Sequence, residues 1–67
     1  MIKKFEKGKK YRFSVTQYHS LYRNEDIPKW AFKLDGEIVR NICNNIGYIE
    51  LRKNFALGIA PEWCIEA

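Results

Sequence analysis

The sequence predicts an all-β domain, a small barrel of about five antiparallel strands with a 3₁₀ turn before the last one. Three observations predict it. Tyr11, Phe13 and Val15 alternate with Arg12, Ser14 and Thr16, the period of a strand with one buried face. From Trp30 onward, short apolar runs are separated by Asp35-Gly36, Asn44-Asn45 and Lys53-Asn54; Asp-Gly and Asn-Asn tolerate the positive φ angles that two-residue hairpin turns require. The chain closes on Pro61, Trp63, Cys64 and Ile65, where a frayed end is ordinarily polar.

The elements follow in order. Gly8 turns the chain just before the first strand. Residues 17 to 29, "QYHSLYRNEDIPK", break the alternation. Tyr18, Leu21 and Tyr22 have the spacing of one helical turn, but the stretch is short and ends in Asn24, Glu25, Asp26 and Pro28, so it reads as a long excursion between strands. Such loops often bind partners.

A meander then runs through "WAFKL", "EIVRNIC", "IGYIELR" and "FALGI". A two-residue turn at Asp35-Gly36 pairs Phe32 with Val39, whereas a three-residue turn including Glu37 pairs Leu34 with Ile38. Apolar residues on both faces fit a strongly curved sheet. Pro61 ends the last long strand, Trp63 plugs one end of the barrel, and Cys64 and Ile65 begin a closing strand.

Gly58, Ile59, Ala60, Pro61 and Ile65 follow the order found at the end of Src-homology-3 domains, where a 3₁₀ turn leads into a short closing strand. The chain resembles that family over about its last ten residues, in strand number and in the long first loop, whose Glu25 and Asp26 match the family's acidic loop. The resemblance implies the barrel. It does not carry over the recognition of proline-rich peptides, because Cys64 stands where the family's ligand-binding tyrosine would be and Trp63 is one position early. A second pattern, F-x-x-G-K-x-Y-x-F at Phe5 to Phe13 with the "PEWC" ending, is similar to small accessory proteins of phages and prophages.

At 67 residues the chain reads as one domain, 1–67, which buries only about 60% of the surface its unfolded chain would expose. Aromatic residues make up 15% of it, and in so small a fold Phe13, Trp30 and Phe32 are expected in the core. No apolar run approaches the roughly 20 residues of a membrane span, and no export signal is evident, so a cytoplasmic protein without a membrane partner is expected. Cys43 and Cys64 are expected as buried free thiols.

The pattern points away from catalysis. His19 beside Ser20 lacks an orienting third group, and Cys43, Cys64 and His19 lack the close spacing of a metal site; no cofactor is expected. Binding is the better reading. Of a net charge of +4, residues 1–12 carry +5 through Lys3, Lys4, Lys7, Lys9, Lys10 and Arg12 against Glu6. With Tyr11 and Tyr48 as stacking surfaces, this basic segment forms a candidate nucleic-acid site. The alternative is an adaptor or inhibitor of a host protein, using the 17–29 loop with Tyr18, Tyr22, Glu25 and Asp26, together with Trp63.

Overall fold

The computed structural model describes residues 2–67. Its elements are β1 (Tyr11–Phe13), α1 (Val15–Leu21), α2 (Lys29–Leu34), β2 (Arg40–Cys43), β3 (Ile46–Arg52), β4 (Phe55–Ile59), a 3₁₀ turn (Pro61–Trp63) and β5 (Cys64–Glu66). Five antiparallel strands and the turn before the last one agree with expectation. The two helices do not, and the described strands form two sheets, β1–β5 and β2–β3–β4, rather than a closed barrel.

The sheets are stitched together by the run that enters β2. Phe13 N–H donates to the Glu37 carbonyl at 3.0 Å and Val39 N–H to that of Tyr11 at 2.9 Å, with an isolated bridge between Arg12 and Ile38. β1 thus has β5 on one edge and residues 37–39 on the other.

Strand alternation is legible wherever one face is buried. In β1 Tyr11 and Phe13 point inward around exposed Arg12, and in β3 Gly47 and Ile49 point inward between exposed Ile46, Tyr48 and Glu50. The β2–β3 turn is Asn44-Asn45 with φ of 51° and 64°, as its sequence requires, and Asn54 takes φ 65° in the β3–β4 turn. Gly8 also turns at positive φ, 86°.

Residues 15–21 fold as a helix because its start is capped. The Ser14 hydroxyl accepts from Gln17 N–H at 3.3 Å, which matches the S-x-x-Q half of a capping box, and Val15 N–H donates to the Asp35 carboxylate at 2.9 Å. "WAFKL" is a helix rather than a strand: Pro28 precedes it in an extended conformation, and Ala31 and Leu34, spaced i and i+3, are its buried residues. No hairpin forms at Asp35-Gly36, so both expected registers fail. Gly36, at φ 84°, instead turns the chain out of α2 so that its N–H reaches the Phe13 carbonyl at 2.9 Å.

The core is Tyr11, Phe13, Ala31, Leu34, Val39, Ile49, Ile59 and Cys64. Phe13 belongs to it as expected. Trp30 packs against it only partly buried, and Phe32 is 60% exposed because α2 turns it outward. Cys64 is a buried free thiol, whereas Cys43 lies exposed on an edge strand. Gly47 lets two elements meet: a Cβ there would collide with Val39 Cγ1 and crowd Ile42 Cγ1 at 3.2 Å.

Candidate nucleic-acid interface

The basic segment is held, not trailing. Phe5 N–H donates to Asn45 Oδ1 at 2.8 Å, tying residues 3–5 to the β2–β3 turn, and Glu6 N–H donates to the Tyr11 hydroxyl at 2.8 Å. Phe5 meets the Tyr11 ring edge-on at 5.0 Å between centroids.

Its cations divide into two groups. Lys9 is committed to Glu6 at 3.0 Å and Glu66 at 3.7 Å; their hydrogen bond and mutual attraction raise the Lys9 pKa and lower that of Glu6. Arg12 donates to the Gly36 carbonyl at 2.6 Å. Lys3, Lys4, Lys7 and Lys10 are exposed and make no ion pair among the described residues.

Tyr11 requires a correction. Its ring is 2% exposed and its hydroxyl is engaged by Glu6, so it cannot stack on a base. Tyr48, 38% exposed, stands on the outward face of β3, cross-strand from Arg40 and from Gly58. Phe5 packs on the opposite, Gly47 side. The structure therefore does not bring the predicted aromatics and lysines onto one surface.

The residues of the protein-binding alternative come closer together. Tyr18 lies 4.8 Å from Tyr22, 5.1 Å from Trp63 and 5.3 Å from Trp30, ring centroid to ring centroid. Desolvation raises the Tyr18 pKa, with Tyr22 and Glu25 adding to the effect. Glu25 and Asp26 are exposed in the connection between the helices. Trp63 is partly buried by these rings rather than by a barrel end.

One grouping escaped sequence reasoning. Lys29, Trp30 and Lys33 of α2, with Leu51 and Arg52 of β3 and Phe55 of β4, line a cleft of about 340 Å³ that has no acidic residue in its walls. The Arg52 guanidinium carbon lies 5.4 Å from the Phe55 ring centroid, within cation–π range. Phe55 also borders a neighbouring depression with Arg40, Asn41, Tyr48 and Glu50, so Tyr48 shares an aromatic and cationic surface with this cleft. The signal lay in the i, i+4 spacing of Lys29 and Lys33, which becomes informative once Pro28 is read as a helix start.

Among the described residues no group of three or more His, Cys, Asp or Glu stands close enough to hold a metal ion, and no helix is long and apolar enough to cross a membrane. Fold and surface define a small β-rich domain with a two-helix excursion and two separate groups of exposed cations. No family model matches the chain, and no curated protein or solved structure matches it.

Proposed function

We propose that this domain is a non-catalytic nucleic-acid-binding module, Src-homology-3-like in its strand order and of the kind phages and prophages carry. The strand order supports that build: β1 lies between β5 and the run entering β2, a three-strand meander follows, and a 3₁₀ turn precedes the last strand. The observation that carries the function is the set Lys3, Lys4, Lys7 and Lys10, exposed and in no ion pair among the described residues, on a segment pinned to the fold. Ammonium groups on a held backbone suit phosphates because the segment itself need not be ordered on binding, which leaves only side-chain freedom to be lost.

The test is binding to short DNA and RNA across salt concentrations. Log affinity should fall linearly with log salt, by about 0.7 to 0.9 per phosphate contact, and replacing the four lysines with glutamine should flatten the slope while leaving the circular dichroism unchanged. No salt-sensitive binding at low ionic strength would sink the proposal.

A second reading, an adaptor or inhibitor of a host protein, is favoured by the ring cluster of Tyr18, Tyr22, Trp30 and Trp63 beside Glu25. Tyr22 is its more exposed member, at 37%. Its mark would be a host protein retained by the wild type and lost with Tyr22→Ala.

A further inference from the structure

The geometry points to the cleft between α2 and the β3–β4 turn as a seat for one unpaired base and its flanking phosphate, which makes single-stranded nucleic acid the substrate class. This inference rests on the nucleic-acid reading above and adds to it a second, chemically different contact.

Folding alone gives little reason for the composition of the cleft. Lys29 and Lys33 stand one helical turn apart on α2, and like charges at that spacing weaken a helix. Arg52 adds a third cation, with no carboxylate in the walls to offset the repulsion. Phe55 keeps 49% of its surface in water, whereas Ile59 at the other end of β4 is fully buried. Three uncompensated cations around an apolar floor of Leu51 and two aromatic rings are matched by a ligand with an anionic group and a flat face. A nucleotide has both: the base stacks on the ring while ammonium and guanidinium groups take the phosphate.

A duplex cannot use the cleft without unstacking a base, whereas a single strand can turn one in at lower cost. The cleft and the basic segment are also separable by mutation. Asn45 pins the segment beside the Ile46 end of β3, and Arg52 opens the cleft at the other end, roughly 20 Å away at about 3.3 Å per residue.

The experiment uses three fluorescent probes: two 12-mer single strands of equal phosphate number, oligothymidylate and an abasic strand, and a 12-base-pair duplex. Affinities are measured at one low salt concentration for the wild type, Phe55→Ala and Phe55→Leu. Leucine keeps apolar bulk if alanine proves unstable, and both variants are checked by circular dichroism. The wild type should bind oligothymidylate about tenfold more tightly than the abasic strand, and each Phe55 variant should lose that margin, the size expected for one stacked base, while binding abasic and duplex DNA unchanged. Quenching of tryptophan fluorescence by oligothymidylate alone would support Trp30 as part of the seat. If abasic and duplex DNA bind but oligothymidylate binds no better than the abasic strand, or Phe55→Leu keeps the margin, the cleft inference is overturned and the phosphate-binding function stands. If no strand binds, both fall.

Discussion

Asp35 accepts a hydrogen bond from the main-chain N–H of Val15 at 2.9 Å, so the residue that ends α2 caps the start of α1. Around this contact Ser14 N–H donates to Trp63 O at 2.8 Å, Gly36 N–H to Phe13 O at 2.9 Å and Phe13 N–H to Glu37 O at 3.0 Å. The helical excursion therefore leaves and rejoins the strands at one place. Asp35→Ala should cost about 0.5 to 2 kcal/mol, the range of a lost helix cap, measured as a lower urea midpoint at unchanged m-value. Asp35→Asn, which keeps an acceptor, should cost less; equal losses would mean that the carboxylate works by charge instead.

Gly47 and Gly58 lie in neighbouring strands and should respond differently to alanine. At Gly47 the new Cβ would run into Val39 Cγ1, itself buried, and overpacking of that kind costs typically about 1 to 3 kcal/mol. At Gly58 the nearest atoms, Ile46 Cγ2 at 3.6 Å and Tyr48 Cε1 at 3.9 Å, are at ordinary contact distance. Gly58→Ala should leave the thermal midpoint within a few degrees of wild type, and Gly47→Ala should lower it clearly.

The two cysteines should separate by reactivity. A thiol reagent should modify exposed Cys43 rapidly in the native protein and reach buried Cys64 only as the fold opens. Burial, reinforced by Glu62, pushes the Cys64 thiol up from 9.0 to about 12. Between those values the unfolded chain has released a proton that the folded one retains, so stability falls as pH rises through that window. The urea midpoint of the wild type should drop further between pH 8 and 11 than that of Cys64→Ala; parallel curves would contradict this account.

Phe13 and Trp63 meet edge to face at 6.4 Å but differ in burial. Phe13 is 1% exposed, and Phe13→Ala should cost about 3 to 5 kcal/mol, enough to unfold much of so small a domain. Trp63 is only partly buried, so Trp63→Ala should cost less, roughly 2 kcal/mol, in proportion to the smaller area it removes from water. A loss at Trp63 equal to that at Phe13 would show that the ring cluster carries as much of the stability as the core.

The meander and the ending were legible because each rests on a local requirement. Asn44-Asn45 and Asn54 supply left-handed turn positions, strand faces repeat every second residue, and Pro61 stops a strand wherever it falls. The helices were not. Trp30, Phe32 and Leu34 alternate as they would in a strand, and in so short a run the i, i+3 spacing of Ala31 and Leu34 carries equal weight; packing of Trp30 against Phe13 decides it. The same ambiguity hid the cleft. In a strand Trp30 would face away from Lys29 and Lys33, whereas one turn of helix puts all three along one opening. Tyr11 misled in the opposite sense, since its hydroxyl finds a partner in Glu6 N–H and the ring can then sink into the core.

Because the feet of the excursion are fastened at Ser14–Val15 and Asp35–Gly36, the sheets do not depend on how far the chain travels between them. Arg23 to Asp26, exposed at its outer end, is a natural graft point. Lengthening a flexible loop costs only about 0.6 kcal/mol for each doubling, so a guest peptide could be spliced there while Ala31 and Leu34 stay seated. The domain can be treated as a small scaffold with one adjustable arm.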